Sequence, residues 1–287
     1  SGELLSYRTA ALGALGGFGF CLVWLAMAGM NFPTALVFLF SSLVIFIGLA
    51  RIVSQTGLAY GRATVCSPVF TVNAMGSGVV GPAGLTALGL NFAWSADIRT
   101  FVMASAATGL KLAEVTRLEY RRLFWAIILA IVVTLCGSAW AVVELAYQYG
   151  GINLTGWQFI GLPSFTGNWI TRNINNPEPV HLWHLGFTGA GALLMGLLTF
   201  IKGRFVGFPI HPIGMTLGLT HPVFHVWFSV FIAWLCKATI LKYGGAYLYT
   251  RLRPLFLGSV LGAFASAGCW LVISWLTGMT GIGFILG

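Results

Sequence analysis

Histidine is the side chain here best suited to chemistry near neutral pH, and its five copies are unevenly placed. His211, His221 and His225 fall within fifteen residues of one another. On one helix, the four-residue step from His221 to His225 puts both imidazoles on one face, where they can relay protons or bind a metal. Pro222 argues against a regular turn there, since proline suits a first helical position and leaves His221 as the cap. His181 and His184 form a second close pair. Haem ligation needs facing helices and cannot be read from spacing. Two further ionisable residues, Glu144 and Lys237, lie about one turn inside apolar stretches. Lys237 can snorkel to an interface, so Glu144, His221 and His225 are the candidates for proton coupling.

Helix breakers supply the second set of candidates. Asn73-Ala74-Met75-Gly76-Ser77-Gly78-Val79-Val80-Gly81-Pro82 and Phe208-Pro209-Ile210-His211-Pro212-Ile213-Gly214 interrupt apolar segments. Backbone freed at membrane depth must be buried in protein or line a wet cavity. Interrupted segments in corresponding positions are also the best sequence pointer to a transport site. Asn73, Gly76, Ser77, Gly78, Gly81, His211 and Gly214 are therefore expected along a substrate path. The plainer alternative is close packing of small residues between helices. No P-loop, G-x-S-x-G, H-E-x-x-H or dinucleotide fingerprint is present. Six acidic residues are too few and too peripheral for paired-carboxylate catalysis. The five scattered cysteines have no C-x-x-C spacing, so neither disulfides nor a metal site are assigned. The expectation is a protein that is not an enzyme, with no catalytic residues, no resident cofactor and no metal.

The elements that hold these residues follow from composition. Of 287 residues, 58% are hydrophobic and 7% charged, with mean hydropathy +0.90. A soluble domain averages about 25% charged residues to keep its surface wet. The long uncharged gaps fit a bilayer core, which takes about 20 apolar helical residues to cross. Continuous apolar runs without two-residue alternation exclude a barrel. The fold class expected is all-α, a polytopic integral membrane helical bundle with two interrupted or re-entrant hairpins. The formal charge of +9 belongs to basic residues at span ends, so no nucleic-acid partner is implied.

Crossings are expected over about residues 9–30, 34–50, 123–147, 181–201 and 254–277. Arg8, Arg51, Arg62 and the basic segment from Asp97 to Arg122 mark one side as cytoplasmic. Residues 63–96 must then leave and return on that side, yet 34 residues are too few for two full crossings and a turn. A broken hairpin fits, and residues 205–241 repeat the plan. The loop from Tyr149 to Pro179, poor in charge and rich in aromatics, reads as non-cytoplasmic and folded at the membrane surface. The chain opens Ser-Gly-Glu with no basic n-region, which suggests an internal or processed start rather than a signal peptide.

Certain segments are similar to a known family. These are Ser6-Tyr7-Arg8-Thr9, Leu49-Ala50-Arg51-Ile52-Val53, His211-Pro212-Ile213-Gly214, Lys242-Tyr243-Gly244-Gly245, and Arg251-Leu252-Arg253-Pro254 with Leu257-Gly258. Together they resemble the C-terminal half of an uncharacterised bacterial membrane protein family related to the oligopeptide transporter superfamily. The resemblance implies a transporter-like fold in the bacterial inner membrane. It also implies a larger whole, with small peptides or metal chelates moved together with protons. The superfamily's better-known signature motifs are not matched, so no substrate residue is carried over. Two other readings stand beside it: a non-catalytic subunit of a larger membrane complex, and a haem- or metal-binding redox subunit. The expected partners are the lipid bilayer, a small substrate, and the missing half or other subunits.

Overall fold

The computed structural model describes residues 6–56, 65–95, 102–116, 120–151, 153–154, 156–205, 208, 210–218 and 220–279. Every regular element among them is helical. Helices α1 (Tyr7–Met27) and α2 (Phe32–Thr56) are followed by α3 (Ser67–Met75), α4 (Ser77–Leu90) and the single turn α5 (Phe92–Ser95). Then come α6 (Val102–Thr116), α7 (Tyr120–Tyr149), a π-turn at Trp157–Gly161, α8 (Leu162–Asn175), α9 (Leu182–Arg204), α10 (Pro212–Leu217) and α11 (His221–Thr277). Two compact units result, Ser1–Thr220 and His221–Gly287.

Local sequence sets most of the helix boundaries. The Ser6 hydroxyl caps α1 by accepting from the Thr9 amide at 3.2 Å. Proline occupies the first turn of α3, α8 and α10, where its missing N–H is no loss. Five helices among the described residues are long and apolar enough to cross a membrane. They lie within Tyr7–Met27, Phe32–Ser54, Arg122–Tyr149, Leu182–Arg204 and Val226–Thr277. The bundle is thus all-α and compatible with an integral membrane protein.

The first unit's core lies where α2 meets the α3–α4 hairpin. Phe38, Leu39, Val72, Val80, Leu85 and Leu88 are all buried, joined by Leu25 and Met30 from the first turn region. Trp94 closes one end, edge-on to Phe38 with ring centroids 5.6 Å apart. Lipid is as apolar as these side chains, so in a bilayer their contribution is close packing rather than escape from water. By contrast, the most apolar windows of α7, α9 and α11 have no buried residue. Trp140, Phe187, Leu193 and Leu261 on those helices are exposed. Such a surface needs an apolar solvent or an apolar partner.

The second unit departs from the expected spans. Residues 242–253, which lie between the expected spans 205–241 and 254–277, are helical on both sides of Gly245 (φ 64°, ψ −174°), and Pro254 lies inside α11 rather than at a helix start. Only Gly245 leaves helical geometry. The hydroxyl of Thr250 bonds back to the Ala246 and Tyr247 carbonyls and holds the turn before Pro254. At about 1.5 Å per residue, the 52 residues from Val226 to Thr277 far exceed one bilayer crossing. Gly245 is the point that divides them.

Candidate functional site

The hairpin apex is built by two glycines that no other residue can easily replace. α3 ends at Gly76 (φ 79°, ψ 142°), whose amide still reaches the Val72 carbonyl at 2.8 Å. Gly81 (φ 73°, ψ 165°) breaks α4 one turn later. Both conformations belong to a region essentially reserved for glycine. Pro82 follows and has no N–H, so the exposed Gly78 carbonyl lacks its usual donor four residues on. The turn between α1 and α2 caps this apex. Asn31 donates from Nδ2 to the Val79 carbonyl at 3.1 Å, and Gly29 (φ 97°) comes within about a side-chain radius of Ala83.

A distant segment then locks the break. The Ser77 amide donates to the Glu178 carbonyl at 3.0 Å, and the Glu178 amide donates to Ser77 Oγ at 2.7 Å. Ser77 Oγ also donates to the Glu178 carbonyl at 3.3 Å. One turn earlier the His181 amide donates to the Asn73 carbonyl at 3.0 Å. A Cβ on Gly76 would lie 3.3 Å from both the Glu178 oxygen and the Val180 nitrogen. The groups freed by the helix break are thus satisfied by backbone about a hundred residues away. Asn73, Gly76 and Ser77 are brought together there, and Ser77 is buried.

Titratable groups gather at this lock. The Glu178 carboxylate lies 3.5 Å from the Arg172 guanidinium and 3.1 Å from His181 Nε2. The His184 ring is 4.9 Å from that of His181. Arg172 is largely exposed, while Glu178 and His181 are about one-third exposed. Among the described residues, no group of three or more His, Cys, Asp or Glu is arranged to hold a metal ion.

α8 carries Glu178 into place. It runs lengthwise along α4, in the opposite direction. Phe165 and Trp169 meet Phe92 edge-on at 5.5 and 5.0 Å, Ile170 fills the space over Gly89, and the next segment reaches Ser77. Buried Asn173 donates to the Trp169 carbonyl at 2.8 Å. The region expected as a loop folded at the membrane surface therefore contains a helix packed against the hairpin. Its aromatic spacing is that of a helix face, 165 to 169, and Gly89 supplies the groove.

Comparison with known families adds one match. Residues 1–285 fit the model of a family of unknown function, DUF6785. The chain belongs to that family. Comparison with curated proteins and with solved structures gives no match. Membership of DUF6785 brings no activity with it, so function must be read from the site.

The other candidates in this DUF6785 chain are not drawn into the lock. Gly78 is exposed beside it. His211 is exposed and caps α10, its Nδ1 accepting from the Ile213 amide at 3.2 Å. Gly214 continues that short helix by donating to the His211 carbonyl at 3.0 Å. Thr216 then touches Met195 Sδ of α9 at 3.6 Å. Glu144 is exposed on α7 and accepts from Gln148 one turn on, within its own helix. The backbone of His221 and His225 belongs to α11, but their side chains lie outside the described residues. Sequence reasoning passed over Glu178 and Arg172. The signal for them was one carboxylate beside Pro179, three residues before a histidine pair.

Proposed function

We propose that this is a multi-pass membrane transport protein of the bacterial inner membrane, moving a small peptide or metal-chelate solute together with protons. The observation that carries this reading is the broken hairpin whose apex is held shut by backbone bonds to a segment bearing a carboxylate–imidazole pair. Gly76 and Gly81 act as pivots, because glycine crosses between backbone regions at little cost. The Ser77–Glu178 bonds are the closed contact of a gate. Glu178 and His181 hold the proton, in place of Glu144, whose hydrogen-bond partner among the described residues is Gln148 on its own helix. The uncharged α1–α2 turn and the Glu178–His181 segment meet at the same apex, which supports a gate at the face away from the basic, cytoplasmic ends.

Proteoliposomes with an imposed proton gradient test this reading against a panel of labelled peptides and metal chelates. Uptake driven by the gradient, and reduced by Glu178→Gln, is expected. Absence of gradient-driven uptake across the whole panel overturns it. A second reading, a non-catalytic subunit of a larger membrane assembly, is favoured by the uncovered apolar faces of α7, α9 and α11. It predicts stable co-purification with other membrane subunits from mild detergent.

A further inference from the structure

The second unit carries a charge imbalance that neither reading uses. From Pro179 to Gly287 the sequence has no Asp or Glu. Within α11 the basic residues are Lys237, Lys242, Arg251 and Arg253, all exposed and all close to the break at Gly245. Apolar helix extends away from them on both sides, as far as Val226 and Thr277. Such a helix pair places its basic waist at a membrane surface, where charged side chains reach the headgroups.

The contacts at this waist are aromatic. Lys237 Nζ lies 5.7 Å from the Tyr249 ring centre, and Lys242 Nζ lies 5.5 Å from that of Tyr243. The first contact joins residues on opposite sides of Gly245, so the break gathers charge from both halves of the helix. A tyrosine face attracts an ammonium but neutralises nothing. Tyr243 and Tyr247 are 79% and 76% exposed, so their hydroxyls are free to meet a polar headgroup. Four cations without a carboxylate in their own unit, two of them guanidiniums suited to a phosphate's paired oxygens, call for an anion from outside.

We propose that the Lys237–Arg253 waist is a binding site for the phosphodiester headgroup of an anionic phospholipid. Lys242, Arg251 and Arg253 hold the phosphate, and the exposed tyrosines bound the site at headgroup level. Basic clusters beside membrane helices attract anionic lipid in this way.

Native mass spectrometry of the full chain tests it, with phosphatidylglycerol and phosphatidylcholine of identical acyl chains as probes. Phosphatidylglycerol should be retained about tenfold better than phosphatidylcholine, and the preference should fall to about twofold in each of the single variants K242Q, R251Q and R253Q. K202Q/R204Q, which removes charge from α9, should leave retention unchanged. Equal retention of the two lipids by the unmodified chain overturns the proposal, and that arm needs no variant to fold. An equal loss in K202Q/R204Q also overturns it, by showing a diffuse surface charge. Millimolar inorganic phosphate should not displace the lipid; displacement would assign the waist to free phosphate instead.

Discussion

The two breaker-rich stretches look alike in sequence and are built differently. In the first, Gly76 and Gly81 take glycine-only backbone, and the freed groups of Asn73 and Ser77 bond to Glu178 and His181 far along the chain. In the second, His211 caps its own short helix from an exposed position, and Gly214 keeps helical company. One is a tertiary lock; the other is a local turn. Proline and glycine therefore announce that a helix stops, while the partner that takes up the freed backbone decides whether the stop is a joint between distant segments. A gate needs such a joint, because only a contact between two separately moving parts can open.

The comparison breaks first at the glycines. Gly76→Ala should destabilise the protein by about 2–3 kcal/mol, through glycine-only backbone and the close Glu178 and Val180 atoms. Gly214→Ala meets nothing within 4 Å and should be neutral or stabilising by about 0.5 kcal/mol. Denaturant unfolding in detergent micelles measures both. Equal losses would show that the two breaks are equivalent after all.

The polar contacts sharpen it next. Ser77→Ala removes one hydroxyl that both accepts from and donates to Glu178, leaving the part-buried Glu178 amide without its acceptor. The expected loss is about 1–2 kcal/mol by the same unfolding measurement. His211→Ala removes an exposed cap and should cost about 0.5 kcal/mol. A larger loss at His211 than at Ser77 would reverse the ranking of the two regions.

The smallest effect concerns charge. Glu178→Gln should cost at most about 1 kcal/mol, since its partners Arg172 and His181 are solvent-exposed enough for screening. The backbone of residue 178 still closes the lock in that variant. Gradient-driven uptake should nonetheless fall if the proposed proton-coupled transport runs through this carboxylate. Loss of stability without a change in uptake would make Glu178 a structural residue only.

Sequence alone determined the class of this protein. Long uncharged runs, with charge gathered near their ends, are compatible with membrane spans, and helices are the structures that satisfy backbone within one segment. α1, α2, α7 and α9 lie close to where hydropathy put them for that reason, since a helix spanning an apolar run is a local matter. The positions of the breaks at Gly76 and near His211 were legible too, because glycine and proline act through their own backbone. What only the tertiary structure decided is partnership. Nothing near Ser77 in sequence announces Glu178, and nothing in the stretch from Tyr149 to Pro179 announces a helix lying along α4. Hydrogen bonds between distant backbones leave no mark on composition or period. They depend on which segments the fold makes neighbours, and that is where this chain turns a broken helix into a lock.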